Sequence, residues 1–334
     1  MLFWIYEHLL VILFIIPHFK EKSFSRFMNL IFSICFISLY TALLVQGCIS
    51  NNVNQPSEQT KCVPDYSISG PFVYVNGNDS PWIHPEDIDF YDYSTHTIFL
   101  KKNKTLPFEE KGIETPPFKV TANNTICLEG KFCSIASSSL PKSPAIYYPR
   151  FYQDMVNLPM MSAENDNLQV FKNTLVSKCL FHAGIECLLD SVYVINNDSI
   201  STVIYIYTIN NLDKDDLYLL DPYKIGNNSF HYFTNGVYLE NTAKHLYYGS
   251  SKKNTIRPSS SDGGLTWLSM LKSHESMTRT VKLTGYENIL PGTYECFFIF
   301  PSLGLAKEMR QLENGRVWEG GVRSSKITVK VMGQ

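Results

Sequence analysis

A mainly β protein carried behind an apolar amino-terminal segment is the fold class that the sequence predicts. Three observations point to it. The chain holds 20 Tyr and 21 Phe, many beside Val, Ile and Thr, the residue types that fit a pleated, half-buried surface. Short apolar runs alternate with Pro, Gly and Asn from Cys62 to the carboxyl end, the pattern of strands joined by turns. The first 47 residues, by contrast, hold two longer apolar runs.

Of these two runs, residues 1–17 carry Glu7 and His8 and end at Pro17, whereas residues 27–47, "FMNLIFSICFISLYTALLVQG", contain no charged side chain. About twenty helical residues cover the roughly 30 Å of a bilayer core, so the second run is long enough to span. Lys20, Lys22 and Arg26 lie between the runs, where they favour a cytoplasmic location and form the positive region of an export signal. The run closes on "LVQGC", residues 44–48. This stretch resembles the lipobox of prokaryotic lipoproteins, in which a Cys after a small residue becomes the lipidated amino terminus. The resemblance implies cleavage after Gly47, lipidation of Cys48, and a body held outside the cytoplasm by acyl chains. An uncleaved transmembrane helix is the other reading, and it leaves the body in the same place. Residues 48–61 are polar and aperiodic and read as a tether.

The composition bounds the function as well. A net charge of −2 and a charged fraction of 18% give no basic face for nucleic acid. Six cysteines follow Cys48, an even number that suits disulfides in an exported body. Cys127 with Cys133, and Cys179 with Cys187, are near enough in sequence to bridge short loops. The stretch "CLFHAGIEC", residues 179–187, also permits a metal reading through Cys179, His182 and Cys187, although structural zinc sites want four ligands.

From 62 to 163 the strand-like runs are "PFVYVNG", "IDFYDY", "HTIFLKK", "PFKVTA", "TICLEG" and "AIYYPRF", and they predict a small β-rich domain. His96 reads as one residue of such a strand. Residues 84–101 and 117–148 together resemble a group of uncharacterised prokaryotic secreted or lipid-anchored proteins. The resemblance rests on an acidic, aromatic stretch ending Thr-His-x-Ile-x-Leu, then a strand, a Gly-centred turn and a Ser-rich loop. It implies no activity and supplies no catalytic residue.

Residues 164–334 predict a second, larger β-domain without an amphipathic helix. "STVIYIYTI" (201–209) and "LYLLDP" (217–222) read as a hairpin, and Asn235-Gly236 as a tight turn between two apolar arms. Residues 303–314 hold the one expected helical turn. "GTYECF" (292–297) resembles the late strand of immunoglobulin-like domains, with Tyr294 two residues before Cys296, and implies a β-sandwich of that kind.

The chemical candidates are few. Asp213, Asp215 and Asp216 form an acidic cluster that could offer oxygens to calcium, although the turn Gly and distal Glu of an EF-hand are missing. Trp267 and Trp318 are candidate ligand-binding residues: "NGRVWEGG" (314–321) sets Trp318 in a glycine-flanked loop that could stack it on a sugar. No catalytic residue and no cofactor is expected. The leading expectation is a membrane-anchored envelope lipoprotein with a binding or structural role, its partner an envelope protein or a glycan. A carbohydrate-binding or carbohydrate-active sandwich is the alternative.

Overall fold

Alternation of period two sets the strands. Ile200–Asn211 turns Val203, Tyr205, Tyr207 and Ile209 inward, all fully buried, and leaves Ile204, Ile206 and Thr208 on the outer face. The computed structural model describes residues 62–332 apart from 76–78, 109–115, 136–142, 149, 151, 160–165, 198, 250–255 and 262. Both apolar runs, Cys48 and the expected tether lie outside the described residues. Among the described residues no helix is long and apolar enough to cross a membrane.

Cys62–Gln334 forms one unit with two hydrophobic cores. The first core is built from β1 (Phe72–Val75), β2 (Ile88–Asp92), β3 (Thr97–Leu100), β4 (Pro117–Ala122), β5 (Thr125–Ser134), β6 (Ala145–Tyr148), β7 (Met155–Asn157), α1 (Asp166–Ser177) and β8 (Phe181–His182). One of its sheets runs β1-β4-β5-β6 and the other β7-β3-β2-β8. The sequence stretches 70–78 and 116–124, which echo each other, supply β1 and β4, paired antiparallel with Val75 opposite Phe118.

The second core follows with β9 (Ile185–Asn197), β10 (Ile200–Asn211), β11 (Leu217–Leu220), α2 (Pro222–Ile225), α3 (Asn227–Thr234), β12 (Val237–Asn241), β13 (Leu246–Tyr248), β14 (Leu268–Leu271) and β15 (Ser276–Glu287). It ends with β16 (Gly292–Pro301), β17 (Gln311–Leu312), β18 (Gly315–Val317), β19 (Gly321–Arg323) and β20 (Ile327–Val331). One sheet runs β15-β10-β9; another runs β13-β12-β16, with β19 and β20 also paired to β16; a third runs β14-β11-β18-β17. Aromatic rings join the first two sheets. Tyr205 and Tyr207 of β10 meet Phe298 of β16 at centroid distances of 5.1 and 4.9 Å, contacts worth about 0.5–1.5 kcal/mol each beyond the area they bury.

Several expectations are corrected here. The cores divide near residues 182–185 rather than at 163/164, because α1 packs Leu168, Phe171 and Leu175 into the first core. That spacing of three and four is the apolar stripe of a helix. β10 makes its hairpin with β9, while β11 pairs with β14 and β18; the chain after Asn211 changes sheets instead of turning back. Asn235-Gly236 ends a helix rather than joining two strands: Asn235 is left-handed at φ 56°, and its N–H donates to the His231 carbonyl. The same tolerance of positive φ serves a hairpin turn and a helix cap. His96 lies not in a strand but in the turn before β3, at φ 52°, where its Nδ1 is 2.7 Å from the Tyr91 hydroxyl. In 303–314 the helical content is one turn, Lys307–Met309.

Candidate functional site

Two parallel strand pairs deliver charged side chains to one place. β2 pairs with β8 so that Asp92 stands beside His182, and β11 pairs with β18 so that Leu217 stands beside Arg316. The link from β10 to β11 carries Asp213 and Asp215. It is fixed by the buried Asn211, whose Nδ2 donates to the carbonyls of Asp215, Leu271 and Lys272 and whose Oδ1 accepts from the Asp213 N–H.

At the centre is Arg316, about 4% exposed. One of its nitrogens, Nη2, donates to Asp92 Oδ2 at 2.8 Å and to Asp213 Oδ2 at 2.7 Å. Its guanidinium also lies 4.8 Å from the Phe90 ring centroid. Asp92 Oδ1 accepts from the Ser94 N–H and hydroxyl at 3.1 and 2.5 Å. Asp213 accepts from the Gly184 N–H at 3.3 Å, and His182 Nδ1 sits 3.0 and 3.2 Å from its two oxygens. Burial pushes the Asp213 carboxyl up, but the His182 hydrogen bond and the Arg316 charge outweigh it and hold that carboxyl well below the usual range. Asp215 Oδ2, half-exposed, reaches within 3.5 Å of the same His182 nitrogen. Gly184, at φ +72°, is required here: a Cβ would meet Ser94 Oγ at 2.2 Å and Asp92 Oδ1 at 2.5 Å.

A second group of buried charges lies between the same two cores. Arg310 pairs with Asp154 of the first core, and its Nε is 2.6 Å from Glu319 Oε2, close enough for an ion pair although not aligned as a hydrogen bond. Burial raises the Glu319 carboxyl. Tyr152 donates its hydroxyl to the Gly304 carbonyl at 2.7 Å. A cavity of about 120 Å³ beside these groups is lined by Phe90, Phe99, Lys307, Arg310 and Arg316, among others.

The sequence-level candidates fare unevenly. His182 joins Asp213 and Asp215, but Asp216 turns away and accepts the Ser273 N–H at 2.8 Å. The metal reading through Cys179 and Cys187 is overturned: Cys179 forms a disulfide with Cys62, Cα to Cα 5.8 Å, and Cys187 is a free thiol in the second core. Both short bridges are overturned with it. Cys127 and Cys133 are free because they lie six residues apart on β5, about 20 Å along an extended strand. Trp318 is not displayed either. It is 1% exposed, packs on Phe300 at 5.7 Å, and donates its indole N–H to Ser94 Oγ at 3.1 Å. The glycine after Glu319 serves close approach, since a Cβ on Gly320, at φ +130°, would lie 2.5 Å from Thr95 Cγ2. Trp267 is half-buried at the edge of the second core.

Sequence reasoning missed Asp92, Asp154, Arg310, Arg316 and Glu319. An Arg between Gly and Val-Trp was the one local hint of a buried charge; its partner Asp92 is 224 residues away, beyond any spacing rule. No protein-family model and no curated protein matches the chain.

Proposed function

We propose that the chain is an envelope protein fastened to a membrane through its amino terminus, its body outside the cytoplasm, with a binding or bracing role. The observation that carries this reading is the Cys62–Cys179 disulfide. Such bonds persist in oxidising compartments and are rare in the cytosol of mesophiles, so the bond favours the export that the apolar leader and "LVQGC" suggest. The bond also ties Cys62, the first residue after the expected tether, to the end of α1, so a pull on the tether would be shared between two points of the body. The buried charges between the cores are engaged with one another, an arrangement that suits a braced body.

The second core supports the finer reading of an immunoglobulin-like sandwich. Strands β9-β10-β15 and β13-β12-β16-β20 have the order of the two sheets of that fold, A-B-E and C′-C-F-G. Tyr294 donates its hydroxyl to the Leu290 carbonyl four residues upstream at 2.7 Å, as the Tyr at the corresponding corner does. Cys296 is nevertheless a free thiol, so the intersheet bridge of antibody domains is missing.

Intact-mass analysis of the membrane-extracted protein tests the proposal. A chain beginning at diacylated Cys48 is expected, and the complete chain retaining residues 1–47 in the membrane would replace acyl anchoring with a helix. Recovery of a reduced chain from the soluble cytosol would sink the proposal. The glycan reading now rests on Trp267: binding on a glycan array that disappears in Trp267→Ala would favour it.

A further inference from the structure

Two weak sequence signals, His182 and the acidic run 213–216, converge in space. We propose that His182 Nδ1, Asp213 Oδ1 and Asp215 Oδ2 form a binding site for a divalent metal ion of the zinc class. The donor atoms of these three side chains lie within 4.8 Å of one another. His182 Nδ1 is 3.0 Å from Asp213 Oδ1 and 3.5 Å from Asp215 Oδ2. In a tetrahedral centre with metal–ligand bonds of about 2.0–2.1 Å, neighbouring donors stand roughly 3.3 Å apart, and the two observed separations bracket that value.

An independent observation points to a cation. Asp92 and Asp213 have fully buried side chains, yet they share a single nitrogen of Arg316. With Asp215 beside them, three carboxylates face one guanidinium and one imidazole. Two fully buried carboxylates against one guanidinium leave one negative charge in excess, which is costly inside a protein; a bound cation would offset it. Nearby, Asp216 faces the Ser273 N–H, Arg310 is engaged with Asp154 and Glu319, Asp89 and Lys307 line the cavity beside Arg316, and Lys214 lies between Asp213 and Asp215 in sequence.

The surroundings also suit a ligand set. Arg316 and the Gly184 N–H hold Asp213 Oδ2, while Oδ1 faces His182 and accepts the Asp215 N–H at 3.3 Å, which is how outer partners orient a metal-binding carboxylate. One nitrogen and two oxygens fit zinc better than calcium, which takes six to eight oxygens. On binding, the metal takes the place of the proton on Nδ1; that proton moves to Nε2 or to solvent. Half-exposed Asp215 lies on the open side, where water completes the coordination.

The test uses the full-length chain in detergent, stripped with a chelator and titrated with Zn²⁺ by calorimetry, with Co²⁺ absorption reporting the geometry. One equivalent is expected, with tetrahedral Co²⁺ bands and a rise in melting temperature. Asp215→Asn, which disturbs no buried pair, is expected to weaken binding by at least about tenfold, and His182→Gln to abolish the cobalt bands. Asp216→Asn is expected to bind as the unaltered chain does. No uptake by the unaltered chain, or equal uptake by it and by Asp215→Asn, overturns the site. If a variant fails to fold, the zinc-induced rise in the unaltered chain still decides, because its absence is equally fatal.

Discussion

Arg316 shows how one side chain can govern a junction. Its Nη2 alone holds Asp92 and Asp213 together, so Arg316→Met leaves two buried carboxylates facing each other. A loss of about 3–5 kcal/mol is expected in urea unfolding, the usual cost of stripping one partner from a buried pair; a loss under about 1 kcal/mol would mean that water already screens the site. Asp213 makes the junction sensitive to acid. Its folded carboxyl titrates below its unfolded value, so its contribution is complete above about pH 4 and is lost as the pH falls toward the folded value. Asp213→Asn should therefore flatten the acid limb of the stability curve, measured by chemical unfolding at stepped pH. Beyond the apolar Val-Trp that follows Arg316, the sequence held no sign of either burial, because Arg316 meets Asp92 and Asp213 from 224 and 103 residues away.

At the scale of the element, the cap at Asn235 and the stripe of α1 are the features that pattern reading misassigned or missed. Asn235 holds a left-handed backbone at the end of α3. Asn235→Gly should leave stability nearly unchanged, whereas Asn235→Val should cost about 1–2 kcal/mol, the penalty of left-handed backbone for a side chain with a bulky Cβ; thermal unfolding of the pair gives the comparison. Helix α1 fills the first core with Phe171, about 1% exposed, and Phe171→Ala is expected to cost about 3–5 kcal/mol. Residues 168, 171 and 175 were visible as a helical stripe, but the surrounding chain is so rich in strand-like runs that a twelve-residue helix did not stand out. The strands themselves were legible: "STVIYIYTI" lies within β10, "PGTYECFFIF" holds nine of the ten residues of β16, and the alternating runs before residue 150 supply β1 to β6.

For the whole molecule, the disulfide and the buried ion pairs work in the same direction. Cys62 and Cys179 are separated by 117 residues, and removing a crosslink over so long a loop is expected to cost about 2–5 kcal/mol. Comparing the chain with and without reductant by calorimetry measures it. Because Asp92 and Asp154 of the first core hold Arg316 and Arg310 of the second, the two cores should unfold in one transition. Two separate transitions in calorimetry would show that the junction couples them only weakly. The free thiols Cys187 and Cys296 are buried, and burial raises Cys296 to about 12; both should resist alkylation until that transition.

By itself the sequence determined that the body is β-rich, because strand preference and period-two burial are local properties of a few neighbouring residues. It also marked His182, Asp213 and Asp215 as chemically interesting types. Tertiary structure alone decided which cysteine meets Cys62, that Trp318 is enclosed, and that His182 faces the acidic run across a junction held by Arg316. Those outcomes depend on how sheets pair and stack, and segments two hundred residues apart leave no periodic trace of their meeting in either stretch of chain.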